Sequence, residues 1–154
     1  GRPPRREPLP APDGFRIYDT GVATHPEPTR AALQAARTPV ILVAGGKDKN
    51  LPLEGLAGAL VACREVHLFG AGGRRLGRLA PPEAAVFEHP GTREAVQAAL
   101  SALRPGETLL FSPSFSSYDE FRNFRDRARL FQEICTAWAA QRETPARDRT
   151  RSAY

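Results

Sequence analysis

Pro39-Val40-Ile41-Leu42-Val43-Ala44-Gly45-Gly46-Lys47-Asp48-Lys49-Asn50 joins a continuous apolar run to two glycines and a charged loop. A run this rich in β-branched residues, with no polar residue at alternate positions, predicts a strand covered on both faces, as in a parallel sheet. The glycines mark its end. Only two of the chain's 22 basic residues are lysines, Lys47 and Lys49, and both fall here. Arginine serves as the generic solvated cation elsewhere, so lysine in this loop points to a place that needs a compact point charge rather than a flat fork. Loop 45–51 is therefore the first candidate binding site, with backbone amides expected to be freed by the glycines and Lys49 within reach of an anion. Lys47 is a second cation beside it.

The segments on either side repeat an alternation of strand and helix. Phe15–Tyr18 alternates as a short strand, and Pro28–Ala36 reads as a helix with proline in its first turn. After the central strand, apolar residues from Pro52 onward recur at helical spacing and lead to a strand over Val66–Phe69. Gly72–Leu79 reads as a short weak helix, Ala85–Phe87 as a strand, Thr92–Leu103 as a helix and Thr108–Phe111 as a strand. A long final helix over about Asp119–Arg142 carries Phe121, Phe124, Ala128, Phe131, Cys135 and Trp138 on one stripe. This alternation predicts an α/β, Rossmann-like fold: a mainly parallel sheet of about five or six strands with helices on both faces. Ligands in such folds sit beyond the carboxyl ends of the strands. Four loops qualify: 19–27, 45–51, 70–73 and 112–118.

With 154 residues, 41% of them hydrophobic and 25% charged, the chain has the composition of one globular domain. Residues 1–14, with five prolines, read as a linker, residues 15–142 as the folded body and residues 143–154 as a disordered tail. No methionine occurs, even at position 1, which predicts a piece of a longer protein. No apolar stretch approaches the roughly 18 residues of a membrane span, and there is no hydrophobic signal region, so a soluble, cytosolic, monomeric protein is expected. Cys63 and Cys135 lie in amphipathic segments without metal-ligand spacing and are expected to be reduced and buried. His25, His67 and His89 are scattered and predict no metal site. Three arginines and one glutamate in residues 1–8, and four arginines and two acids in residues 142–154, account for four of the five net positive charges. Cations at the ends rather than on a folded face argue against nucleic-acid binding.

Two glycine- or serine-rich stretches bear on chemistry. Gly70-Ala71-Gly72-Gly73 lacks the full GxGxxG and is expected to be a plain turn; the chain also has no GxxxxGK[ST] phosphate cradle. Ser112-Pro113-Ser114-Phe115-Ser116-Ser117-Tyr118-Asp119 places four serines between a strand and a helix. There a helix N-terminus can hold a carboxylate or phosphate, and Ser117 or Asp119 can equally serve as an N-cap. Without a GxSxG elbow or a histidine in a loop meeting these serines, a Ser/His/Asp triad is not indicated. No residue of the chain alone is assigned as catalytic.

Taken in order, these stretches resemble the C-terminal domain of the Mur ligases. Pro3-Pro4-Arg5-Arg6-Glu7 is similar to the family's entrance motif, and Thr20-Gly21-Val22-Ala23-Thr24-His25-Pro26-Glu27-Pro28-Thr29 to its Asp-Ser-(Lys/Ile)-Ala-Thr-x-Pro-x-x-Thr. Pro39–Lys49 looks like its strand followed by Gly-Gly-x-Asp-Lys. Ser112–Arg127 resembles Ser-Pro-x-x-x-Ser-x-Asp-x-Phe-x-Asn-Phe-x-x-Arg, most specific to the branch that adds D-glutamate. The resemblance implies ATP-dependent amide ligation in peptidoglycan synthesis, and through it a part in cell shape and division. ATP and Mg2+ would be bound mainly by other domains, as would UDP-N-acetylmuramoyl-L-alanine, leaving D-glutamate to this one. It further implies Lys49, Thr24, Ser117, Tyr118 and Phe124 (by its backbone) around D-glutamate, and Arg5, Asp19 and Thr20 near ATP. Thr20 stands where the family usually has an aspartate, with Asp19 adjacent. Other Mur ligases, folylpolyglutamate synthase and a nucleotide-binding α/β module are the alternatives.

Overall fold

The computed structural model describes residues 7–9, 11–19, 25–112 and 124–152. Glu7–Pro8 (β1), Arg16–Asp19 (β2), Val40–Gly45 (β3), Glu65–Phe69 (β4), Val86–His89 (β5) and Thr108–Phe111 (β6) join in one sheet, ordered β1-β2-β6-β3-β4-β5. Strands β2 to β6 are mutually parallel, as the alternation predicts, while β1 pairs antiparallel with β2. Part of the expected linker is thus an edge strand. Such an edge accepts Pro8, which has no N–H to donate, and Leu9 continues the pairing with a bond to the Ile17 carbonyl at 2.9 Å.

The helices are Pro26–Ala35 (α1), Glu54–Ala59 (α2, continued by a 3₁₀ turn over Leu60–Ala62), Gly70–Leu79 (α3), Thr92–Ala102 (α4) and Phe124–Ser152 (α5). Alternate residues of the strands divide the core between them. Leu42, Ala44, Val66, Leu68 and Leu110 pack with α1, α2 and α3, whereas Ile41, Val43, Phe69, Leu109 and Phe111 pack with α4 and α5. Every residue of β3 is buried, because β4 and β6 flank it and helices cover both its faces. Phe111 stacks on Phe131 with ring centroids 4.2 Å apart and fixes α5 to its face. The expected stripe on α5 holds at Phe131, Cys135 and, partly, Trp138, with Ile134 and Arg127 also buried. The helix runs on to Ser152, through the stretch expected to be an unstructured tail, although Pro145 within it has no N–H to donate.

Two other expectations change. Gly70–Gly73 is the first turn of α3, which follows β4 with no loop between them. Close packing explains why a helix tolerates so many glycines: a Cβ on Gly73 would lie 3.2 Å from the Leu68 Cβ, and one on Gly77 2.8 Å from a Glu88 carboxylate oxygen. Burial against the sheet overrides poor helix propensity. His67 and His89 are neighbours rather than scattered, because β4 and β5 pair in parallel and bring their rings to one face, Nδ1 to Nε2 at 2.9 Å. No group of three metal-ligating side chains occurs among the described residues. Both cysteines are free and buried as expected, and burial pushes each thiol up to about 12.

Candidate functional site at the carboxyl edge of the sheet

The strand order creates a crevice at a predictable place. From β3 the chain moves through α2 to β4 and then outward to β5; it returns through α4 to insert β6 on the other side of β3. The connection after β3 leads to α2 on one face, and the helix after β6 lies on the other. The ends of β3 and β6 therefore flank a topological switch point, where open α/β sheets bind ligands. The two ends are adjacent, with Val43 registered opposite Phe111 and the Ser112 amide donating to the Val43 carbonyl at 2.9 Å.

The lysine loop begins at this point. Gly45 has φ 156° and Gly46 φ 121°, both in the region that favours glycine. A Cβ at Gly45 would come within 2.0 Å of the Phe69 carbonyl oxygen. The Gly46 amide donates to that oxygen at 3.1 Å, and the Gly46 carbonyl accepts from the Gly72 amide at 2.8 Å. The glycines thus pin the tip of β3 against the start of α3. They do not leave the Gly46 amide free for an anion, as the sequence suggested.

Beyond them, Asp48 is half-buried and held by Arg75 of α3, whose Nε lies 3.0 and 2.9 Å from the two carboxylate oxygens. Nη2 of Arg75 donates to the Leu51 carbonyl at 2.7 Å, and the Asn50 amide donates to Asp48 Oδ1 at 2.9 Å. The bond from Arg75, then the Asn50 amide, hold the Asp48 carboxyl below its ordinary range. Asn50 has φ 57°, a conformation asparagine tolerates in such a turn. Lys47 and Lys49 are exposed and make no ion pair with a described residue.

A second buried link joins the chain leaving β2 to the chain leaving β6. Thr29 in the first turns of α1 bonds side chain to side chain with Ser112, and both are fully buried. Ser112 is thus a structural serine rather than a ligand donor. Asp19 closes β2 at the same edge, 8% exposed, on the side of β2 that carries Ile17 and faces α5. Of the other expected site residues, Phe124 is the first residue of α5. Arg5, Thr20, Thr24, Ser117 and Tyr118 lie outside the described residues. The described part of the edge therefore carries Lys47 and Lys49 on the loop after β3 and Asp19 at the end of β2, with β6 between these two strands. Sequence reasoning missed Arg75, since nothing in Gly72–Leu79 distinguishes it from Arg74 or Arg78; only the approach of α3 to the lysine loop does.

Comparison with known proteins gives the same frame. Residues 5–115 match the family model described as Mur ligase, glutamate ligase domain. The UDP-N-acetylmuramoylalanine–D-glutamate ligase of Symbiobacterium thermophilum is 36% identical over 142 residues, covering 86% of this chain and 30% of that protein. The ligase of the same name from Thermus thermophilus is 36% identical over 139 residues, covering 86% and 33%. The chain spans about a third of the length of these relatives. Among solved structures, the MurF ligase of Thermotoga maritima, determined in complex with ADP, superposes with a TM-score of 0.63 at 15% identity, covering 92% of this chain and 32% of that one. A murein peptide ligase from Psychrobacter arcticus gives 0.62 at 10% identity, covering 86% and 29%. Both share the fold.

Proposed function

The chain belongs to the Mur ligase, glutamate ligase domain family, and we propose that it is the amino-acid-binding part of an ATP-dependent ligase that joins D-glutamate to UDP-N-acetylmuramoyl-L-alanine in the cytoplasm. One observation carries this reading: Lys49 stands exposed at the switch-point edge while the nearest acid in its loop, Asp48, is already engaged by Arg75. An ammonium not neutralised by its own loop is what a carboxylate ligand needs. A charge-assisted bond of this kind is worth about 1.5–3 kcal/mol. In this reading the hydroxyls of Thr24 and Ser117, the backbone at Phe124 and the Tyr118 side chain complete the pocket, and the amine is held toward the activated carboxyl carbon of the acceptor.

Arg5, Asp19 and Thr20 are assigned to the nucleotide side. Among the described residues no three His, Cys, Asp or Glu side chains gather as a metal site requires, and the sequence has no phosphate cradle. In this reading ATP and Mg2+ are held mainly by the parts of the ligase beyond this chain. The main task of this chain is then to bind and orient the amine donor, and orientation alone can contribute roughly 7–11 kcal/mol to such a step.

Steady-state kinetics of the full-length ligase test the assignment. Lys49→Ala should raise KM for D-glutamate by about ten- to a hundredfold while KM for the UDP-sugar stays as it was. Equal increases for both substrates would remove Lys49 from the amino-acid pocket.

A further inference from the structure

The clamp around Lys49 has a shape that a surface ion pair alone would not need. Arg75 grips two points of the loop at once, both oxygens of Asp48 and the carbonyl of Leu51. Asp48 reaches over Lys49 to the Asn50 amide, so the residues on each side of the lysine are tied together and tied to α3. That helix is itself fixed: Gly73 packs on Leu68, and the Gly72 amide holds the Gly46 carbonyl. Lys49 thus projects from a turn braced against the sheet. The same contacts have an electrostatic consequence. Asp48 lies between two lysines in sequence, and with Arg75 absent its carboxylate would be available to pair with either of them.

We propose that Arg75 is a positioning residue for Lys49, bracing loop 46–51 through Asp48 and the Leu51 carbonyl and keeping the Asp48 carboxylate from neutralising the ammonium. The inference rests on the reading that Lys49 receives a carboxylate of the amino-acid substrate. In this role Arg75 acts through Lys49 and not by contact with substrate. A planar guanidinium is required because one group must span a carboxylate and a carbonyl, a geometry an ammonium on a flexible stem does not reproduce. Displacing an orienting group by about 1 Å can cost roughly a hundredfold in rate, so the effect of losing the brace should be large enough to measure.

The experiment uses the full-length ligase with Lys49→Ala, Arg75→Ala, Arg75→Lys, Asp48→Asn and the double variant Lys49→Ala/Arg75→Ala, with KM and kcat measured for each substrate. Arg75→Ala is expected to raise KM for D-glutamate about ten- to a hundredfold, with KM for ATP and for the UDP-sugar unchanged and little recovery in Arg75→Lys. The double variant is expected to be no worse than Lys49→Ala alone, because Arg75 acts through Lys49. Should Arg75→Ala fail to fold, Asp48→Asn releases the arginine while keeping an acceptor for the Asn50 amide, and it should raise the same KM. Effects of Arg75→Ala and Lys49→Ala that multiply, or a D-glutamate KM untouched by both Arg75→Ala and Asp48→Asn while Lys49→Ala raises it, would overturn this inference and leave the site reading standing. An unchanged KM in Lys49→Ala would overturn the site reading, and this inference with it.

Discussion

At Gly45 a single hydrogen atom decides whether the site can form. The strand must end against the Phe69 carbonyl, and a methyl group there would sit 2.0 Å from that oxygen in a backbone conformation that disfavours any other residue. Gly45→Ala should therefore lower stability by several kcal/mol, about the 4–5 kcal/mol that marks an exceptional single substitution. Urea denaturation of the purified chain checks it, and a loss below about 1 kcal/mol would mean that the tip of β3 moves easily. The glycine pair was conspicuous in the sequence, but its purpose was not. Spacing alone cannot distinguish a glycine that frees an amide from one that allows two backbones to meet. The lysine beside it was legible because residue choice carries chemistry directly: a chain that uses arginine elsewhere keeps lysine here.

At the scale of elements, the pairing of β4 with β5 makes a titrating unit from residues that look unrelated in sequence. His67 is buried, stacked on Phe87 and His89, and bonded through Nε2 to Glu65 at 3.0 Å. Burial is the main cause that lowers both histidines from the ordinary value of 6.5, opposed by Glu65 for His67 and by Glu94 for His89, with His89 and then Arg64 adding to the lowering at His67. The unfolded chain therefore binds more protons than the folded one below that value. The histidine contribution to stability is complete above about pH 6.5 and is lost as pH falls through the lower folded values. Urea midpoints measured from pH 7.5 downward should fall below about 6.5, before the carboxylates titrate, and His89→Gln should flatten the fall. A midpoint flat down to about pH 5 would contradict the sign.

Elements also show where local patterns mislead. The glycines of α3 read as a turn because glycine lowers helix propensity, but a tight seat on Leu68 and Val86 selects small residues for a different reason. The short β1 was hidden in a proline-rich stretch because its pairing partner, β2, is the only thing that makes it a strand.

For the whole molecule, the chain spans about a third of its relatives' length, and the proposed division of labour leaves ATP mainly to the rest of the ligase. The purified chain alone should neither turn over ATP nor form an amide bond, and isothermal calorimetry with ATP, Mg2+ and both substrates would detect either reaction. Heat of ATP hydrolysis from this chain by itself would end the proposed division of labour. The far end of the sheet has a different task. There Arg64 binds Glu107, Glu65 and the Ala102 carbonyl, and Glu107 accepts the Arg104 amide at 2.7 Å. This network ties β4 to the turn before β6, at the end of the sheet away from the candidate site.

Alternating strand and helix patterns were sufficient to predict a mainly parallel sheet with helices on both faces, because side-chain periodicity reports which faces of an element are buried. The same residues named the lysine loop. They did not give the insertion of β6 between β2 and β3, the buried bond from Thr29 to Ser112, or the grip of Arg75 on Asp48. The two side-chain bonds join residues 83 and 27 positions apart and the strands pair across comparable separations, and only packing of the complete chain brings such partners within bonding distance.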